Sequence, residues 1–189
     1  MGRWEADAGG RLQYAAMSLY FERGYDAVTV AEIAERAGLT KRTFFRHYAD
    51  KREVLFAGAP AFQAGVVAAV AAAPVDQAPV DTVIAALAET GGAQLAQYGE
   101  WARARRDLVE SSADLRERAL IKSADLAAAV AAALRERGVA PGQATLTAHA
   151  AVTAFTVGYD RWADGNGVGD LPTAVRETLA DLRTALTPG

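Results

Sequence analysis

Apolar residues in the first fifty positions recur at helical spacing, and each recurrence is bounded by a recognisable cap or stop. Leu12, Ala15, Ala16, Leu19 and Tyr20 fall at i, i+3, i+4, i+7 and i+8, which predicts one helix from about Asp7 to Arg23 with a single buried face. Gly24 follows as its stop. Thr29 and Glu32 have the spacing of a capping box, so a second helix begins there, with Val30, Ile33, Ala34 and Ala37 as its inward stripe and Gly38 as its end. Only Gly38, Leu39 and Thr40 separate it from a third helix over about Lys41–Tyr48, for which Thr40 is the N-cap. Asp50 and Glu53 form another box, opening a fourth helix at Lys51.

The pattern continues to the C-terminus without an internal repeat. The fourth helix contains Gly58 and Pro60, so a kink or break is expected there, with helix resuming to about Ala73. The stretch 74–79 has the composition of a linker. Beyond it, helices are predicted at about 80–97, 101–111, 113–137, 141–163 and 172–186, several opening on proline and closing on glycine. β-branched residues occur singly and never in alternating runs. The expected fold is all-α with about nine helices: an N-terminal three-helix domain over 1–50, a connecting helix over 51–73 and a C-terminal helical domain over 80–189.

Composition narrows the function. Hydrophobic residues make up 51% of the chain, enough for a sizeable core, and charged residues 23%. There is no cysteine, which excludes disulfides, thiolate metal sites and a thiol nucleophile. Apolar runs such as 126–134 are too short to span a bilayer, and the first ten residues lack the apolar stretch of a signal peptide, so a cytoplasmic location and no membrane partner are expected. The net charge is −3, yet Lys41, Arg42, Arg46, Lys51 and Arg52 crowd into twelve residues that contain one acid, Asp50. A local cationic segment on an acidic chain points to one docking surface for a polyanion.

The second and third helices, joined by a tight glycine-containing turn, have the spacing of a helix-turn-helix, whose second helix enters the DNA major groove. At 100° per residue, Phe44 and Tyr48 share one side of the third helix with Leu39 nearby, leaving Arg42 and Arg46 pointing away, flanked by Thr43 and Phe45. Arginine reads guanine bidentately, threonine meets a base edge or a thymine methyl, and Phe45 offers apolar contact. Thr40, Lys41 and Lys51 are placed to hold phosphate. His47 has two readings, a phosphate donor or a solvated core-edge histidine. The whole segment also has a plainer reading as a solvated face, against which an exposed Phe45 argues.

The stretch from Leu12 through GYDAVTVAEIAERAGLTKRTFFRHYADKREVLF to Phe56 resembles the DNA-binding domain of the TetR/AcrR family of repressors. The resemblance implies nine or ten helices, the first three binding DNA and the rest forming a ligand-binding, dimerising domain. It also implies DNA contacts at Thr40, Lys41, Thr43, Phe45, His47 and Lys51, with Thr29 as a further position. Many members have a small residue where Arg42 stands and a tyrosine where Phe45 stands, so the operator cannot be borrowed from relatives.

In the C-terminal two-thirds, the helix at 144–163 is apolar on two sides. Val152, Phe155, Tyr159 and Trp162 lie on one, and Leu146, Ala150, Thr153 and Val157 on the other. One side can face the core and the other a second subunit, with Val175, Leu179, Leu182 and Leu186 of 172–186 completing a four-helix homodimer interface; a central helix of a monomer is the alternative. Tyr98, Trp101, Phe155, Tyr159 and Trp162 are candidates to line a small-molecule pocket or to be ordinary core. Arg105 could hold an anionic ligand or pair with a carboxylate of the protein. His149 reads as structural. The 165–170 glycine stretch follows a helix where a nucleotide loop needs a strand, and it lacks the ligand spacing of a calcium loop. No enzyme, cofactor or metal is expected. The sequence thus points to a homodimeric repressor of a palindromic DNA operator released by a small molecule, with an architectural DNA-binding protein as the alternative.

Overall fold

The protein is described by a computed structural model over residues 8–96 and 99–186. Ten helices make up the regular structure of these residues: α1 Ala8–Arg23, α2 Val30–Arg36, α3 Lys41–His47, α4 Lys51–Leu55, α5 Ala59–Ala72, α6 Pro79–Leu95, α7 Gly99–Ser111, α8 Ala113–Glu136, α9 Pro141–Asp164 and α10 Leu171–Leu186. The all-helical expectation stands.

The caps account for the boundaries. At α2 the Thr29 hydroxyl accepts the Glu32 N–H at 3.3 Å while the Glu32 carboxylate accepts the Thr29 N–H at 2.8 Å, a complete capping box. Gly38 ends the following turn at φ +65°, where a side chain would be strained. Asp50 accepts the N–H groups of Arg52 and Glu53 and so opens α4. The interruption expected near Gly58–Pro60 is a clean break, with α4 ending at Leu55 and α5 beginning at Ala59. Pro60 therefore sits in the first turn of a new helix, where its missing N–H costs nothing.

The chain divides into two compact units. One contains the residues up to Ala59 together with Asp107–Ala119; the other contains Pro60–Arg106 and the residues from Leu120 on. The first unit reaches further than the 1–50 domain drawn from the sequence. Its core joins Leu12, Leu19 and Tyr20 of α1, Ile33 of α2, Phe44 of α3 and Val54 of α4 to Leu108, Val109 and Leu115. The core of α1 and α4 thus includes chain that lies roughly fifty residues beyond α4 and roughly ninety beyond α1, a relation that local periodicity does not encode.

In the second unit α6, α9 and α10 pack against one another, with Val66 and Val70 of α5 and Val130 and Leu134 of α8 completing the core. Gly158 permits the α9–α10 contact, since a Cβ there would lie 2.8 Å from the Val175 Cα. Arg137, just past α8, donates to the carbonyls of Val70 (3.0 Å), Ala73 (2.7 Å) and Pro74 (2.7 Å) and so closes the C-terminal end of α5. Arg137→Met keeps the stem and removes these donors; denaturant unfolding is expected to show a loss of about 1.5–3 kcal/mol, the scale of a charge-assisted hydrogen bond. No described helix is long and apolar enough to cross a membrane.

Candidate nucleic-acid interface

The site is assembled around α3, a helix of seven residues. So short a helix has little stability of its own and must be held by its ends and its inward face. At its start, the Thr40 hydroxyl accepts the Thr43 N–H at 3.1 Å, and the two threonine hydroxyls share a hydrogen bond at 3.0 Å. Inward, Phe44 is fully buried, with the Phe45 and Tyr48 rings 5.5 and 5.7 Å from its own. At the far end, the Tyr48 hydroxyl donates to the Gly9 carbonyl at 3.0 Å and ties α3 to the beginning of α1. Arg11 pins α1 to α2 by donating to the Ala37 carbonyl.

With Phe44 facing in, the remaining side chains of α3 face out. Lys41, Arg42, Phe45, Arg46 and His47 are exposed, and Thr43 is half-buried. Phe45 keeps 56% of its surface in water even while touching Phe44, an expensive placement for a phenyl ring with no partner. The charges separate cleanly. Arg23, Arg36 and Arg52 are neutralised by Glu32, Glu22 and Asp50. Among the described residues no carboxylate pairs with Lys41, Arg42 or Arg46. Hydrogen bonds from Arg23, then from the Thr29 hydroxyl and N–H, hold the Glu32 carboxyl down at about 2, so its pair with Arg23 persists at any ordinary pH. Burial pushes the Asp50 carboxyl up, but Arg52 and two backbone N–H groups outweigh it and leave the group below its ordinary value.

Two expected DNA contacts, Thr29 and the phosphate candidate Lys51, are occupied inside the protein. The Thr29 hydroxyl donates to Glu32 at 2.7 Å as well as accepting its N–H, which leaves no proton for a phosphate. The Lys51 ammonium donates to the carbonyls of Tyr25 (2.9 Å) and Val28 (3.0 Å) and lies 4.1 Å from the centre of the Tyr25 ring. Glu53, paired with Asp50 in the sequence reading, has its carboxylate against Arg118 of α8. The Lys51 and Glu53 arrangements have no local sequence signal, because each joins residues far apart in the chain.

The residues proposed for a small molecule fare unequally. Phe155, Tyr159 and Trp162 come together on the inner side of α9. Phe155 packs on Phe62 at 5.3 Å, Tyr159 lies 5.7 Å from Trp162, and the Trp162 N–H donates to the Gly169 carbonyl at 3.3 Å. Trp101 is at the surface, 49% exposed, and Arg105 is half-buried on the same helix. Tyr98 lies outside the described residues. His149, read as structural, is exposed on α9. No cluster of metal-ligating side chains occurs among the described residues.

Residues 14–57, which run from within α1 through α4, match the N-terminal region of bacterial regulatory proteins of the tetR family. Over these residues the chain is similar to the TetR family. An uncharacterised HTH-type transcriptional regulator of Mycobacterium tuberculosis is 44% identical over 55 residues, which cover 29% of this chain and 29% of that relative. The similarity in sequence thus spans under a third of that relative's length. The fold likeness is wider. Thermus thermophilus FadR, a TetR-family transcriptional repressor solved with lauroyl-CoA, matches at a TM-score of 0.53 and 22% identity, covering 96% of each chain. SmeT, the repressor of a Stenotrophomonas maltophilia multidrug efflux pump, solved with triclosan, matches at a TM-score of 0.62 and 21% identity over 92% of this chain and 90% of its own. The second unit therefore shares the fold of these two repressors as well.

Proposed function

We propose that this protein is a homodimeric TetR-family repressor that docks α3 in the major groove of a two-fold-related DNA operator and leaves it when a small molecule binds the second unit. The observation that carries the DNA half is the outward set on α3: Lys41, Arg42 and Arg46 unpaired by carboxylate and Phe45 exposed, over a helix locked from behind by Phe44 and Tyr48. Arg42 and Arg46 read base edges, Thr43 and Phe45 supply apolar contact, and Lys41, Thr40 and His47 hold phosphate. The homodimer forms through α9 and α10, whose outer sides expose Leu146, Val157 and Leu186. It would set two copies of α3 about 34–36 Å apart, one turn of duplex.

The binding test uses a duplex selected by the wild-type protein from a random-sequence pool. Arg42→Ala and Arg46→Ala are each expected to cost about 1–3 kcal/mol and to relax sequence preference at one position per half-site. Wild-type affinity in both variants would refute this orientation of α3.

Ligand control is supported by the small molecules held by FadR and SmeT. The packed state of Phe155 and the engaged Trp162 N–H favour the other reading, an architectural DNA-binding protein with a solid second unit. Titrating the protein–duplex complex with a set of amphipathic small molecules separates the two. Release by any of them supports the sensor, and a complex indifferent to all supports the architectural protein.

A further inference from the structure

Lys51 is the one cation of the basic segment whose charged atom turns back into the protein onto backbone. Its ammonium has three N–H groups, and two are given to the Tyr25 and Val28 carbonyls. The Tyr25 ring lies 4.1 Å from it, within the range of an attractive cation–ring contact. The Tyr25 ring in turn packs at 5.4 Å on that of Tyr20, whose hydroxyl donates to the Lys51 carbonyl at 2.7 Å. Lys51 is therefore gripped at both ends, by its side chain from the turn before α2 and by its backbone from α1. The Val28 N–H closes that turn onto the Tyr25 carbonyl at 3.3 Å, and the next residue, Thr29, is the N-cap of α2.

We propose that Lys51 is a positioning residue for DNA recognition: it sets the start of α2, and with it the α2–α3 pair, by clamping the Tyr25–Val28 turn to the start of α4, and it does not act on phosphate. The inference rests on the DNA-binding role proposed above. The two assignments differ in what they demand of charge. A phosphate ligand needs only a cation that reaches the duplex. The clamp needs a compact ammonium that meets two carbonyls while resting on a ring, which a planar guanidinium on a longer stem does not reproduce.

The test compares wild type, Lys51→Met and Lys51→Arg on one duplex selected by the wild type, at a temperature where circular dichroism shows each fully folded. The clamp requires both variants to bind more weakly with the wild-type salt dependence, and the Val28 amide of the free protein to exchange about tenfold faster, the equivalent of one charge-assisted hydrogen bond. Arg137→Met, which lowers stability in the other unit, serves as the control and should leave affinity and Val28 exchange unchanged. Two results would overturn the clamp. One is a slope of log affinity against log salt that falls in Lys51→Met by about 0.9 per protomer, with Lys51→Arg restoring full affinity, as a lost phosphate contact requires. The other is Val28 exchange at the wild-type rate in both variants. Should Lys51→Met fail to fold, Lys51→Arg decides alone through its affinity and its Val28 exchange. If the wild type selects no duplex, the DNA-binding role fails instead, and the exchange measurement still reports on the clamp.

Discussion

Phe44→Ala is expected to destabilise the first unit by about 3–5 kcal/mol and to abolish DNA binding with it. The side chain has no exposed surface, and it is the only fully buried one that α3 contributes. Removing the ring leaves a cavity beside α1 and α2, the helices on which α3 packs, and their backbones cannot close in to fill it. Stability of a small domain is typically about 5–15 kcal/mol, so the loss takes a large share of it. The remaining attachments of α3 are the Thr40 cap and the Tyr48 hydroxyl, each near 1 kcal/mol in ordinary cases. They cannot hold seven residues in helical register alone. Phe44→Leu fills most of the space and should cost less than half as much. Chemical denaturation followed by circular dichroism measures the first effect, and fluorescence anisotropy of a labelled duplex the second. Near-native stability in Phe44→Ala would mean that α3 is docked by something other than its aromatic face.

That prediction could be made from the sequence, and the reason is instructive. Thr29 with Glu32, Gly38, Thr40 and Asp50 act within four residues of themselves, so the boundaries of α2, α3 and α4 are local facts. The side of α3 that faces inward follows from 100° per residue once Phe44 and Tyr48 are chosen as its back. The interior of the site is a different matter. Lys51 lies 26 residues from Tyr25, and Arg11 lies 26 residues from Ala37. Nothing in a helical period says whether a lysine at a helix start faces solvent or a carbonyl pair, and the charge alone favoured the phosphate. Asp107–Ala119 lies further still, and its membership of the first unit is a tertiary fact. Aromatic spacing on α9 identified an inner side correctly, but periodicity says equally little about whether that side encloses a ligand or only its own neighbours. Trp101, grouped with those rings, is about half in solvent.

Val157→Asp is expected to convert the protein to a monomer in sedimentation equilibrium while leaving its fold intact. Val157 is 40% exposed and Leu146, on the same side of α9, is 75% exposed, with Thr153 between them also exposed. Apolar groups standing in line on a helix whose opposite side is already buried need a second surface to cover them. Under two-fold symmetry the same patch meets itself, so each dimer would bring two new carboxylates into one apolar seam, where both lose water and repel each other. In the separate chain the substituted group stays in solvent, and stability should change by no more than about 0.5 kcal/mol. DNA binding should suffer far more. Two joined recognition helices gain about 100- to 10,000-fold over one through effective concentration, and the monomer forfeits that factor on a two-half-site duplex. On a single half-site, dimer and monomer should bind alike. This contrast separates loss of pairing from damage to α3. A Val157→Asp protein that sediments as the wild type does would place the dimer contact elsewhere on the surface.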